Sequence, residues 1–341
     1  MVDRSSPIPA YYQIAVDIHQ RIANGEWRAG DKIPPEVELA EEYQVSRMTM
    51  RNALGQLANE GILDRKPGNG TFVNLGYLDF TDFSYEKQLK EVIDESKKNQ
   101  LREEVWAELR TVARPDSRFH WDFREFVPDF EGSQRCKQAI QNTEFFQSAE
   151  VLFAAPDNSL ARIRASALRE GKTLLVATYA IKRGFLILEP DRVPEGKETW
   201  AASLDGMEKF GRSISLQQIQ DMGEVDLMLT GISLVTEKGT RWGKGHGFFD
   251  LEWAMFWEIG VVNQDTPIIA VGHDCQVIST DLQPSAVDTV ADLIITPTRT
   301  IEVEKTYPKP EGIVWEYITP DLKSQIPPLQ NLFELMESQP E

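Results

Sequence analysis

Apolar residues recur three and four positions apart at Tyr11, Ile14, Ala15, Ile18 and Ile22, which predicts a first helix ending near Asn24-Gly25. Pro34-Pro35 opens a second, shorter helix with Leu39, Ala40 and Tyr43 inward. After Gln44-Val45, Ser46 is placed to cap a third helix with the stripe Met50, Ala53, Leu54 and Leu57, stopped by Gly61. That stripe leaves Arg47, Met48, Arg51 and Asn52 outside, with Thr49 at the margin. Residues 62–73 then read as two short strands around an Asn-Gly turn, a wing.

Beyond this point the pattern changes. Residues 74–95 lack a clean period and then turn helical, as a linker becoming a helix does. Apolar runs at Val151 to Ala154, Lys172 to Tyr179, Phe185 to Leu188, Val225 to Leu229, Pro267 to Val271 and Asp292 to Thr296 read as strands. Helical stretches fall at Lys97 to Val112, Asn158 to Arg169 and Asp250 to Ile259. Such alternation predicts an α/β domain with a mainly parallel sheet covered by helices. The expected division is a winged helix-turn-helix over 1–75, a linker over 76–95 and the α/β domain over 96–341.

Composition sharpens the division. A chain of 341 residues exceeds what one core usually organises. The formal charge is −18, yet residues 1–75 hold 8 Lys+Arg against 10 Asp+Glu, so nearly all the acidity lies in the second part. This excludes broad adhesion to polyanions but not a local cationic face. Cys136 and Cys275 form no C-x-x-C, and two isolated thiols fit a reducing compartment. The N-terminus lacks the apolar core of a signal peptide and no stretch of 18 apolar residues occurs, so a cytoplasmic protein without membrane contact is expected.

Two arginines four residues apart on an exposed helix start suit docking in a groove of DNA. Arginine can hold guanine in a bidentate fork, and asparagine can do the same for adenine. Arg65 and Lys66 of the wing are placed for phosphates or the minor groove. Residues 7 to 73 resemble the GntR family of winged helix-turn-helix regulators: PIPAYYQIAVDIHQRIANGEWRAGDKIP is followed by PEVELAEEYQVSRMTMRNALGQLANEGILDRKPGNGTFV. The resemblance implies a dimeric regulator that binds a double-stranded DNA operator. It puts Arg47, Thr49 and Arg51 on DNA-contacting positions and Gly70 at the wing glycine. Ser46, Asn52, Arg65 and Lys66 complete the expected interface. Val37 stands where many members carry an arginine.

The stretch GTRWGKGHGFFD, residues 239 to 250, presents glycines at alternate positions with Arg241 and Lys244 between them. Glycines so spaced expose consecutive N–H groups as an anion nest. The spacing matches neither a P-loop nor a dinucleotide fingerprint. Lys98 and Arg102 add two cations one helical turn apart.

Together these segments resemble the 5-formyltetrahydrofolate cyclo-ligase family, with K-x-x-x-R at Lys98 and Arg102 and R-W-G-K-G-H-G-F-F-D from Arg241 to Asp250. His273 to Val277 and Val290 to Thr296 look like family segments too, so the resemblance spans about residues 95 to 300. It implies ATP and Mg2+ as cofactors and a nucleotide site at Lys98, Arg102, Arg241, Gly243, Lys244, Gly245, His246, Gly247, Phe248, Phe249 and Asp250. Asp250 reads equally as a helix cap or a metal ligand, and no residue is assigned to catalysis. His246 and His273 read as packing or hydrogen-bonding residues.

The folate side departs from the family. Asp157-Asn158-Ser159-Leu160 stands where a glutamate is usual, and Leu174 to Tyr179 replaces a strand ending in Leu-Pro. SLVTEKGTRWGKGHGFFDLEWAMF is more similar to a cyclo-ligase-like paralog group associated with thiamine metabolism. The expected function is a DNA-binding regulator whose second domain senses a nucleotide or a folate- or thiamine-related metabolite. The alternatives are an ATP-dependent cyclo-ligase or related enzyme carrying a DNA-binding domain, and a nucleotide-gated scaffold.

Overall fold

The computed structural model describes residues 10–23, 26–28, 30–59, 62–66, 69–74, 95–116, 121–123, 126–242, 247–280, 282–318 and 320–338. The chain divides into two compact units, Met1–Ser84 and Tyr85–Glu341. Of the expected linker 76–95, all but Glu95 lies outside the described residues.

In the smaller unit α1 (Ala10–Ala23), α2 (Glu36–Glu42) and α3 (Arg47–Asn59) precede a hairpin of β1 (Leu63–Lys66) and β2 (Gly70–Val73). The stripes expected from spacing close on one core of Ile14, Ile18, Ile22, Leu39, Met50, Ala53, Leu54 and Leu57. Each such leucine or isoleucine contributes about 1.5–3 kcal/mol by leaving water. Between α2 and α3 the chain turns at Gln44, whose φ is 54°. Ser46 caps α3: its hydroxyl accepts the Thr49 N–H at 3.1 Å. Residues 30–33 run beside β2 with a bridge from Lys32 to Phe72, which adds a third strand-like segment to the wing.

The larger unit begins with α4 (Glu95–Leu109), α5 (Ser133–Gln141) and α6 (Glu144–Ser148). There follow β3 (Val151–Ala154), α7 (Ala161–Arg169), β4 (Thr173–Ala177), β5 (Phe185–Leu188), α8 (Glu198–Ala201), α9 (Leu204–Phe210), β6 (Arg212–Ile214) and α10 (Leu216–Met222). Next come β7 (Leu227–Gly231), β8 (Leu234–Thr236), β9 (Arg241–Trp242), α11 (Phe248–Glu258), β10 (Ile268–Val271) and β11 (Val277–Ile278). The unit closes with β12 (Leu293–Ile295), β13 (Thr300–Glu302), α12 (Pro320–Gln325) and α13 (Pro327–Ser338).

The main sheet has the order β13-β12-β10-β7-β3-β4-β5-β6. The five strands from β12 to β4 are parallel, and β13, β5 and β6 add antiparallel edges. The fold is therefore the expected helix-covered, mainly parallel sheet. Burial on both faces makes β4, β5, β7 and β10 almost unbroken apolar runs. Against the sheet lies α11, buried from Phe249 to Phe256, where Phe153, Phe185 and Phe256 stack with centroids 5.1 to 6.4 Å apart.

The expected strands differ at their ends. Lys172 and Tyr179 lie outside β4, and β7 begins at Leu227 instead of Val225 and runs on to Gly231. A second sheet, β11-β8-β9, was not expected from periodicity because its strands are two or three residues long. It changes the start of the glycine-rich stretch. Gly239 (φ 83°) makes the tight turn between β8 and β9, where a Cβ would lie 2.5 Å from the Ala291 carbonyl oxygen. Arg241 then lies in a strand paired with Val235, not in an open loop.

Candidate functional site

On the smaller unit, Ser46, Arg47 and Met48 are exposed at the start of α3, as are Arg51 and Asn52 on the same helix, while Thr49 is half-buried. Thr49 shares a hydroxyl hydrogen bond with Ser46 at 2.8 Å. Arg65, Lys66 and Gly70 are exposed on the wing, with Gly70 at φ 115°. Glu36 was not anticipated. Its carboxylate takes Arg51 at 3.1 Å and Arg65 at 3.2 Å, joining recognition helix and wing. Arg51 keeps 59% of its side chain exposed, so it remains open to a partner. Lys32, also unforeseen, lies over the Phe72 ring, with Lys66 near the same ring.

In the larger unit the chain leaves β3 toward β4 on one side and later continues from β7 toward β10 on the other. The crevice between the carboxyl ends of β3 and β7 is thus the switch point where ligands of open α/β sheets bind. A narrow cleft of about 60 Å³ lies there, lined among others by Asp157, Tyr179, Gly231, Arg241, Phe248 and Glu252. Asp157 follows β3, and its Oδ2 accepts the Gly231 N–H of β7 at 2.8 Å. Beneath, the buried Arg164 donates to the carbonyls of Ala155 at 2.6 Å and Asp157 at 2.9 Å, fixing that loop. Burial pulls its guanidinium down to about 10, which still leaves it charged at neutral pH.

Helix α11 enters the cleft by its N-terminus. Gly247 caps it in the left-handed conformation (φ 64°), and its first-turn N–H groups carry partial positive charge. Arg241 is buried and donates to Asp250 at 2.7 Å and to the Thr289 hydroxyl at 2.7 Å, while lying 4.3 Å over the Phe249 ring. The Asp250 Oδ1 also accepts the N–H and hydroxyl of Thr289, so three donors converge on one oxygen. Burial pushes the Asp250 carboxyl up from its ordinary value and Arg241 pulls it back. The side chain of Asp250 is thus a tertiary anchor and does not cap the helix.

Gly243, Lys244, Gly245 and His246 lie outside the described residues, as does the side chain of Lys98. Arg102 is buried on α4. Leu101 and Val105 of that helix pack with Leu234 and Trp242, so the K-x-x-x-R helix and β9, which leads into residues 243–246, are brought together. His273 sits after β10, 3.3 Å from the Cys275 sulfur and edge-on to Phe130, a packing position. Burial pushes the Cys275 thiol up to about 11.

Residues 94–297 match the 5-formyltetrahydrofolate cyclo-ligase family and residues 10–73 match the bacterial regulatory proteins of the gntR family. The first match covers more than half of the chain. The protein belongs to the 5-formyltetrahydrofolate cyclo-ligase family. It is a member with a GntR DNA-binding regulator domain joined in front. A human methenyltetrahydrofolate synthase domain-containing protein is 33% identical over 240 residues, covering 69% of this chain and 61% of that protein. The chain thus spans about three fifths of that relative. The HTH-type transcriptional repressor NagR of Bacillus subtilis is 48% identical over 73 residues, covering 21% of this chain and 30% of the repressor. The AraR DNA-binding domain in complex with operator ORX1 is 41% identical over 19% of this chain and 80% of that one, with a TM-score of 0.19.

Within this cyclo-ligase-family domain, two stretches singled out in the sequence, 157–160 and 174–179, reach one place. Asp157 and Tyr179 both line the cleft, beside Glu252 from α11. Glu252 carried no sequence signal, because a glutamate on a helix reads as solvent-facing until its neighbours are known. Among the described residues, no helix is long and apolar enough to cross a membrane.

Proposed function

We propose that the protein is a sequence-specific transcriptional regulator whose cyclo-ligase-like domain senses a nucleotide or a folate- or thiamine-related metabolite in the cytoplasm. One observation carries the reading: a gntR-family domain with Arg47 and Arg51 exposed is joined to a cyclo-ligase-family domain whose switch-point cleft opens at a helix N-terminus. The first-turn amides of α11 and the cap at Gly247 would hold phosphate oxygens, with Lys98, Arg102 and Lys244 supplying charge. Magnesium binds to proteins through one or two carboxylates plus nucleotide phosphates. Among the described residues the donors to Asp250 all reach Oδ1, so Oδ2 is the oxygen that would hold the ion, directly or through water. When bound, the ion would neutralise phosphate charge.

On DNA, a homodimer reading an inverted repeat fits the GntR architecture. Arg51→Ala is expected to cost about 1–3 kcal/mol on the operator and to relax preference at one base pair. Lys66→Ala should weaken operator and random duplex alike and lower the salt slope by about one unit. Fluorescence anisotropy on both duplexes measures this, and equal losses for Arg51→Ala would remove the base-reading role.

Membership of the cyclo-ligase family favours a second reading, an ATP-dependent 5-formyltetrahydrofolate cyclo-ligase or related enzyme that also binds DNA. A thermal-shift screen of nucleotides, folates and thiamine intermediates, followed by turnover assays on the hits, separates the two. A ligand of the folded form raises apparent stability by mass action. Binding without turnover, together with a change in operator affinity, is the regulator's result. Turnover with operator affinity unchanged is the enzyme's.

A further inference from the structure

Among the described residues five large hydrophobic side chains stand exposed, and two of them lie in the gntR-family domain. Met48, in the first turn of α3, is 62% exposed, and Val37, in the first turn of α2, is 36% exposed. Single apolar residues are ordinary on a protein surface, so the position of these two decides their meaning.

Arg51 relates them. Met48 precedes Arg51 by three residues and shares its face of α3. Glu36, which takes Arg51 at 3.1 Å, is the residue before Val37, so the start of α2 stands alongside the same helix. Arg47 and Asn52 are exposed on α3, and Arg65 of the wing shares the Glu36 carboxylate. The two apolar side chains are thus set among cations, although residues 1–75 as a whole hold 8 Lys+Arg against 10 Asp+Glu.

Arginines interleaved with apolar tips suit duplex DNA. Phosphates and guanine edges meet the arginines, and the C5 methyl of thymine is the apolar group that the major groove presents. A partner protein would bury these arginines at the centre of its contact, where charge is costly. Methionine fits the methyl well, because its unbranched thioether is long and adapts its shape. Valine is shorter and stiff at χ1, so Met48 makes the larger contact.

We infer that Met48 and Val37 are specificity-determining residues that read thymine methyl groups beside the base pair contacted by Arg51. Cytosine in place of such a thymine lacks the methyl and turns an N–H donor toward an apolar side chain, so the altered site is bound more weakly. This rests on α3 being the base-reading helix and specifies which feature of the bases it selects.

The test begins with selection of duplexes from a random pool by the full chain. In the selected site each thymine is replaced singly by deoxyuridine, which pairs alike and lacks only the methyl, and affinity is read by anisotropy. Replacement next to the base pair at which Arg51→Ala relaxes preference should weaken binding about fourfold, the size expected of one buried methyl group. Met48→Ala should erase that loss at its own thymine and Met48→Leu should retain it, while Val37→Ala should erase the loss at a second thymine. Both side chains are exposed, so these substitutions spare the core. Equal affinity for thymine and uracil at every position would overturn the inference, as would a methyl effect that survives both alanine variants or lies far from the Arg51 base pair. If Met48→Ala keeps the methyl effect and instead alters sedimentation of the chain without DNA, the apolar tips serve a contact between copies and the inference falls. Specific binding that Arg51→Ala relaxes, without any methyl dependence, sinks this inference alone. A selection that yields no preferred site sinks the sequence-specific reading with it.

Discussion

Replacing Arg241 by methionine is expected to destabilise the larger unit by about 3–5 kcal/mol, the size seen when one partner of a buried ion pair is removed. The reason lies in what remains. Asp250 is buried in the first turn of α11, and without Arg241 its carboxylate keeps only the N–H and hydroxyl of Thr289 as donors. The Thr289 hydroxyl loses the guanidinium it accepts from, and Phe249 loses the cation packed 4.3 Å from its ring. Adding Asp250→Asn should recover a large part of the loss, because the stranded charge goes with it. Urea unfolding followed by tryptophan fluorescence measures both variants. A single-variant loss below about 1 kcal/mol would mean that the pair is solvated and Arg241 is held for ligand alone.

This expectation bears on function. An Arg241 variant that no longer binds nucleotide could owe that to collapse around Asp250, so it cannot by itself assign a phosphate contact. Lys98→Ala and Lys244→Ala are the better probes, since neither belongs to that buried ion pair.

The second large effect is the coupling between units. If the cleft is a sensor, its ligand must bind the DNA-competent and DNA-incompetent states unequally, because equal affinity shifts nothing. A response of about 1–3 kcal/mol would appear as a roughly 5- to 150-fold change in operator affinity. By linkage, operator DNA must change ligand affinity by the same factor. Both directions can be measured on one preparation, by anisotropy with saturating ligand and by calorimetry with saturating duplex. Agreement of the two factors, lost in Lys98→Ala, is the expected result. Independent titrations would leave two unconnected activities in one chain.

The smaller unit was legible almost residue by residue. Its helices are amphipathic and its cap at Ser46 is local, so short-range chemistry determined both the core and the residues left outside. What local chemistry could not show is Glu36, placed by the fold between Arg51 and Arg65 from 15 and 29 positions away. In the larger unit the main strands were visible because strands buried on both faces must be apolar, with boundaries blurred by a few residues at β4 and β7.

Sequence alone therefore determined the family, the two architectures, and the joining of a GntR DNA-binding regulator domain to a cyclo-ligase-family domain with a glycine-rich motif. Tertiary structure decided the roles inside that motif. Gly239 is a turn glycine under Ala291, and Arg241 and Asp250 anchor one another. Asp157 and Glu252, 95 positions apart, meet in one cleft. Spacing reports which residues can share an element, but the charge a side chain faces depends on elements brought together from far along the chain. Burial then determines whether a cation is offered to a ligand or consumed by a neighbouring carboxylate.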